Sequence, residues 1–396
     1  MANFIDPYNP TFYAQEALIV LENALGMAGR VHRGYDSERK SANVGDTIQI
    51  SKPGTFSTQA GGTGTASDLN PTKLDLTVDT WREVKFAIDD DDLAFTGERI
   101  IQDHISPAVY AIANYIETQL TAEYLNVPWS YDIGSTPDSG DIVDCRKVLR
   151  DNAGSLVDSD VVHFAIDSTL EGAFLNLSLF HAANVAGEAD SQASRRRGSL
   201  GTRFGIEHFV QQTLTNHTSG TVVSAENDVI GALSADGDER DTTIALDSLN
   251  GTETLAAGDS FIIAGNTQRY VVTAATTLAT GANTSVPIYP ALITDYTSGD
   301  AVTFETISGS VWADRYFANI MFHKNAFAIA LAPLPKVGDG AGARMDVITD
   351  PRTGLSIRSR VAYDDDNAKV KVTLDVLFGI KTLDPNLAVV ARRNYA

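Results

Sequence analysis

The sequence predicts an α+β fold whose body of helices and strands is interrupted by an inserted all-β, barrel-like domain. Three observations predict it. Residues 97–126 keep apolar side chains at helical spacing, the segments on either side alternate as strands do, and residues 216–307 turn Thr-, Gly- and Ala-rich with short alternating runs and no helical period. So abrupt a change of composition inside one chain marks a module set into a body.

The chain has 396 residues, enough for two to three domains and a sizeable core, and 43% of them are hydrophobic. Thirty basic against 51 acidic residues give a net charge of −21. Such acidity disfavours a free-standing nucleic-acid binder, which needs clustered Lys and Arg on phosphate. It suits a concentrated soluble subunit, because net charge discourages indiscriminate association. Cys145 is the single cysteine, so no intramolecular disulfide framework or multi-cysteine zinc site can form. The start, Met1 to Asp6, lacks the basic and apolar regions of a signal peptide. The longest apolar stretch, Ala326 to Leu334, falls far short of the roughly 20 residues that span a bilayer, so no membrane partner is expected.

Along the chain, residues 1–35 open with Asp6-Pro7 and Asn9-Pro10 and then place Leu18, Leu21, Ala24, Leu25 and Ala28 on one helical face. In 36–95, Thr47–Ile50 and Leu74–Val78 read as two strands around a Gly/Thr/Ser-rich tip, Thr55 to Asn70. A two-stranded ribbon is marginal alone, so its stability is expected from packing on something else. Residues 97–126 give the clearest helix, with Ile101, Ile105, Ala108, Val109, Ile112, Ile116, Leu120 and Tyr124 in register; Pro107 predicts a kink or a late start. Val161–Ile166 reads as a strand, and Ser168-Thr169-Leu170-Glu171 as a capping box opening a helix to about Ala183.

The inserted region holds twelve acidic and two basic residues over 221–307, a net charge of −10. Its strand-like runs are Thr221–Ser224, Thr242–Leu246, Ser260–Ala264, Arg269–Thr273, Ser285–Tyr289 and Ala301–Glu305, punctuated by Asn250-Gly251, Gly265-Asn266 and Ser298-Gly299. Short strands between such turns are the pattern of a small antiparallel barrel. Beyond it, Phe317–Ala330 returns to mixed character, and Ser356–Ala362 and Val370–Asp375 read as strands. The domain boundaries expected are 1–35, 36–95, 96–215, 216–307 and 308–396.

No residue is nominated as catalytic, cofactor-binding or metal-ligating, and no cofactor is expected. The seven histidines, His32, His104, His163, His181, His208, His217 and His323, show no metal-ligand spacing, and His163 reads as a satisfied core residue. There is no Gly-x-Ser-x-Gly elbow. Gly258-Asp259-Ser260-Phe261 resembles the Gly-Asp-Ser block of one esterase family, but with no strand-to-helix switch and no His at a familiar spacing it reads as a turn entering a strand. The clusters Gly61–Gly64 and Gly338–Gly342 lack a Walker lysine and read as loops. The runs Asp89–Asp92 and Asp364–Asp366 lack calcium-loop spacing and read as solvated charge; Arg195–Arg197 reads as a loop or subunit contact.

Four segments resemble a known family. They are Gly201–Ile206 leading to Thr215–Gly220, Gly258–Gly265 followed by Tyr270–Val272, Phe322–Ala328, and Thr373–Lys381 with Phe378 before Gly379. With the order of elements, they make the chain similar to tailed-bacteriophage major capsid (coat) proteins of the Hong Kong-type fold, in the coat-protein branch with an inserted β domain. The resemblance implies an N-terminal arm (1–35), an extended loop lying across a neighbouring subunit (36–95), a spine helix and capsid body with peripheral and axial domains (96–215), the insert (216–307) and a return to the body (308–396). It implies function by assembly, not catalysis. Hexamers and pentamers would close an icosahedral phage head, made in the host bacterial cytoplasm, around double-stranded DNA held without sequence specificity. A scaffolding protein and a portal are the implied partners; a separate decoration protein is left open. The alternative is the shell of a capsid-like compartment or another virion component, which the cargo of purified particles distinguishes.

Overall fold

The computed structural model describes residues 10–34, 46–52, 72–89, 104–134, 136–153, 157–182 without 159, 194–224 without 195, 230–247, 252–279, 283–304, 315–336, 343–349, 355–364, 366–367 and 369–394. The fold is α+β. It divides into two compact units, Met1–Ile116 with Phe327–Leu383, and Glu117–Ala326 with Asp384–Ala396.

The first unit is built on the 14-residue strand Lys369–Thr382. Thr80–Asp89 pairs antiparallel along one edge. On the other edge, Ser356–Asp364 pairs with its first half and Phe327–Ala332 with its second. Ala343–Thr349 extends the sheet beyond Ser356–Asp364. Helix Pro10–Ala24 packs on the Ala343–Thr349 and Ser356–Asp364 strands. It buries Tyr13, Ala14, Ala17 and Leu21, while Leu18 is only half-buried. The apolar face is therefore rotated from the one the sequence predicts, because two alanines let the helix approach the sheet closely on that side.

The predicted ribbon is present: Asp46–Lys52 pairs antiparallel with Thr72–Val78, Ile48 opposite Leu76. It packs on something else, as expected, and that partner is its own unit. Ile48, Leu76 and Val78 form one apolar cluster with Ala328, Ala330, Ala332, Leu334 and Leu377 of the same unit. The small side chains of the Phe327–Ala332 strand leave room for the ribbon's larger ones. Gly379 permits the approach, since a Cβ there would lie 2.2 Å from the Thr77 carbonyl oxygen. The predicted tip, Thr55–Asn70, lies outside the described residues.

The helix Ser106–Thr121 contributes residues to both units and continues as a 3-10 turn, Ala122–Asn126. Pro107 sits in the first turn of the α-helix, which follows directly on the π-helical residues 104–105, so the proline marks where the regular α-helical spacing begins. Val109, Ile112, Ile116, Leu120 and Tyr124 are buried as their spacing predicts; Ile101 lies outside the described residues.

In the second unit, Arg315–His323 is the central strand. Ala388–Asn394 flanks one edge, and Val162–Ile166 and Asn216–Thr218 share the other. Ser130–Ile133 runs parallel outside Ala388–Asn394, and Ile206–Val210 parallel outside Val162–Ile166, with Thr202–Arg203 as its hairpin partner. Helices Ser139–Ala153 and Ser168–Leu175 cover the sheet with Ile142, Leu149, Leu170 and Phe174. Cys145 is buried in the same core, which pushes its thiol well above the ordinary range. The Ser168–Leu175 helix corrects the predicted capping box. Its N-cap is Asp167, whose carboxylate accepts from the Thr169 and Leu170 N–H groups. Ser168 is already helical, and a charged acceptor is favoured over a hydroxyl at the positive end of a helix.

The β module belongs to the second unit. Six antiparallel strands run in the order Thr243–Leu246, Thr284–Tyr289, Arg269–Val272, Ser260–Ile263, Ala301–Phe304, Ile230–Ala232. The two outer strands meet where Leu233 faces Leu246 and the Ser234 N–H donates to the Ala245 carbonyl at 3.0 Å. The sheet is thus closed on itself, which removes its free edges. Phe261, Tyr270, Val286, Val302 and Phe304 fill the interior. A separate ribbon pairs Thr252–Leu255 with Thr276–Ala279. Five of the six predicted runs are strands. The sixth, Thr221–Ser224, is a helical turn that buries Val222, and Ile230–Ala232, Thr252–Leu255 and Thr276–Ala279 are strands the alternation missed.

Candidate functional site

Polar side chains converge inside the second unit at the turn entering Ser260–Ile263. Asp259, 2% exposed, accepts three hydrogen bonds: from His217 Nε2–H to Oδ1 at 3.1 Å, and from the Gly220 and Ala256 N–H groups to Oδ2 at 3.0 and 2.7 Å. A carboxylate offers no donor, so His217 carries its proton on Nε2 and accepts at Nδ1 from the Tyr124 hydroxyl at 3.0 Å. The Tyr316 ring lies 4.7 Å from the imidazole, centroid to centroid. Burial pushes the phenols of Tyr124 and Tyr316 up, and the charge of Asp259 adds to both. Nearby, Arg392 binds Asp132 at 2.6 and 3.0 Å and reaches Ser260 Oγ at 3.5 Å, while Arg269 donates to the Ser130 carbonyl at 2.8 Å.

This arrangement does bring a histidine to the Gly-Asp-Ser block, which the sequence spacing did not reveal. It is nonetheless a poor nucleophile site. Both nitrogens of His217 are committed, one to Tyr124 and one to Asp259, leaving neither to take a proton from Ser260. Ser260 is itself buried, 6% exposed. What the network does chemically is fasten a turn of the β module to the 3-10 turn after the long helix. Tyr124 and His217 lie 93 positions apart and His217 and Asp259 42, so no local motif announces them.

Among the described residues, the other histidines, charge runs and glycine clusters weighed in the sequence do not join this network. His163 lies part-buried with Nδ1 2.9 Å from Glu207, a satisfied histidine as predicted. Backbone bonds tie His32 to Phe327 and Ile329. Asp364 pairs with Lys371 at 2.5 Å. Arg196 and Arg197 are exposed. Arg195, Asp90–Asp92, Asp365, Gly61–Gly64 and Gly338–Gly342 lie outside the described residues. Among the described residues no helix is long and apolar enough to cross a membrane.

His208 is the buried histidine with a consequence in solution. It sits among Phe164, Phe174 and Phe180, and burial pushes its imidazole down to about 4 from the ordinary 6.5. A base with a depressed pKa is bound neutral in the fold, so between pH 6.5 and 4 the unfolded chain takes up the proton first. Stability contributed by neutral His208 is complete above pH 6.5 and falls as pH drops toward 4, by about 3 kcal/mol. Urea unfolding from pH 7.5 to 4.5 should show a steeper loss in the wild-type chain than in His208→Gln. Parallel pH profiles would refute this.

No family model matches the chain, and no curated protein matches it. Among solved structures it is similar to one from Mycobacterium phage Che8, at 12% identity and a TM-score of 0.49 over 93% of this chain and 90% of that one. It is similar to the asymmetric unit of the bacteriophage PhiM1 mature capsid at 10% identity and 0.46, over 89% and 83%. The capsid of an empty GTA particle gives 11% identity and 0.41, over 92% of each chain.

Proposed function

We propose that this chain is a shell subunit, the major capsid protein of a phage head. Hexamers and pentamers of it would close an icosahedral shell around double-stranded DNA, and it would catalyse nothing. The observation that carries the reading is the order of elements along one chain: terminal helix, two-stranded ribbon, long helix, mixed sheet, closed β module, then a return to the same sheet. That order matches the family resemblance of the sequence, and the committed nitrogens of His217 support the absence of hydrolytic chemistry. On this reading 216–307 carries an insert: Asn216–Thr218 pairs with the body strand Arg315–His323, and the module after it has an interior made of its own residues, Val222 to Phe304. Scaffolding and portal proteins would be its partners during and after assembly. A net charge of −21 limits its contact with packaged DNA to local cationic patches.

The test is the assembly state of the full chain, expressed alone and followed by sedimentation velocity and negative-stain microscopy over a range of concentration, salt and crowding agent. Ring-shaped capsomers or closed shells are expected. A monodisperse monomer under every condition would overturn the reading.

A further inference from the structure

The hairpin joining Thr202–Arg203 to Ile206–Val210 turns through two residues, Phe204 and Gly205, at φ of 52° and 72°. Positive φ at both central positions makes a type I′ turn, which Asn-Gly fills best. Gly205 suits its place. Phe204 does not, because a bulky L side chain is disfavoured in the left-handed region. It is also 45% exposed. Neither the backbone nor the solvent favours phenylalanine here, and residues held in sparsely populated backbone regions concentrate at functional sites.

One cation lies against the tip and others lie near it in sequence. Arg203 precedes Phe204, and the Arg146 guanidinium, 3.7 Å from Asp158, lies so close to Gly205 that a Cβ there would come within 2.6 Å of Nη1. Arg196 and Arg197 are exposed just upstream. The opposite character occurs at one end of the β module. Gly237 faces Tyr296, Arg240 N–H donates to the Leu292 carbonyl, and Glu239 N–H donates to Asp295. These bonds hold two loops together and leave Asp238, Glu239, Asp241 and Asp295 exposed beside Ile293, which is 49% exposed; Arg240 is the one cation of these loops among the described residues.

We propose that the Phe204 hairpin of one copy docks on the Ile293 loops of a second copy, its arginines facing the carboxylates. The inference rests on the shell-subunit reading and names the surfaces that would make the contact. The knob carries positive charge beside it and the seat negative charge, so wrong pairings, knob to knob or seat to seat, are disfavoured. Knob and seat are different patches of one chain, which makes the contact head-to-tail. Such a contact is satisfied in every copy only when the row closes into a ring.

The experiment uses the full chain and compares wild type with Phe204→Asn, Ile293→Ser and the pair Arg196→Glu/Arg197→Glu. Asparagine fits the left-handed turn, so Phe204→Asn should unfold at the same or a higher urea concentration than wild type. Its critical concentration for assembly should nevertheless rise at least tenfold, and Ile293→Ser should do the same. The charge-reversed pair should assemble poorly alone and recover when mixed with Asp238→Arg/Glu239→Arg chains. If wild type assembles and Phe204→Asn and Ile293→Ser assemble at the wild-type concentration, the contact is wrong while the shell reading stands. If the variants assemble normally but retain less DNA, the tip is a nucleic-acid contact and the proposal also fails. A wild-type chain that never assembles overturns both.

Discussion

Asp375→Ala is expected to destabilise the first unit by roughly 3–5 kcal/mol, the usual cost of breaking a buried ion pair from one side. Asp375 is fully buried and takes Arg358 through Nε at 2.9 Å and Nη2 at 2.5 Å. Arg360 reaches its other oxygen at 3.0 Å and is shared with Glu83 at 2.5 Å. Arg358 is only 6% exposed, so its guanidinium, left with the Pro335 carbonyl at 3.0 Å, would keep a buried charge without its counter-ion. Replacing both partners, as Arg358→Met with Asp375→Leu, removes the orphan and should recover most of the loss. Trp81 lies over Arg358, 5.6 Å from ring centroid to guanidinium carbon, which makes tryptophan fluorescence in urea a suitable readout. A loss below 1 kcal/mol in Asp375→Ala, or a double variant as unstable as the single, would show that the pair is not what holds these strands.

That ion pair was invisible in the sequence, and the reason separates what was legible from what was not. The long helix was legible because its apolar period persists for several turns. The ribbon and most strands of the barrel were legible because alternation survives wherever one face is buried, as in Ser285–Tyr289, where Val286 and Ile288 face inward. Alternation vanishes when a strand buries a single side chain. Thr252–Leu255 buries only Leu255, and Thr276–Ala279 only Leu278, so nothing distinguishes them from loop. Thr221–Ser224 is too short for either period to show, and threonine and valine bias it toward strand; the neighbouring Thr254 hydroxyl and backbone contacts set it as a helical turn instead. The cap at Asp167 was missed by one residue because Ser168 offers the same hydrogen-bonding chemistry. Pairs such as Arg358 with Asp375 or His217 with Asp259 are defined by the register of strands distant in sequence. Composition records that the charges exist, not which of them meet.

Asp259→Ala should cost about 3 kcal/mol, because it orphans three donors at once: the buried His217 Nε2–H and Gly220 N–H and the part-buried Ala256 N–H. An unsatisfied buried donor costs roughly 1–3 kcal/mol, and three donors cannot satisfy one another once the shared acceptor is gone. Partial removals should follow a graded order. His217→Phe keeps a ring against Tyr316 but strips one donor from a buried carboxylate, which retains its two backbone N–H bonds. Tyr124→Phe removes one hydroxyl and leaves Nδ1 of His217 without that donor, a cost of about 1 kcal/mol. The expected ranking is therefore Asp259→Ala, then His217→Phe, then Tyr124→Phe. Because the three residues form one chain of hydrogen bonds, the losses should not add: a Tyr124→Phe/Asp259→Ala double variant should be less damaging than the sum of its singles. Equilibrium unfolding of the four variants measures this directly. Strict additivity would mean that the residues act separately, and a harmless Asp259→Ala would mean that the turn holds without its carboxylate.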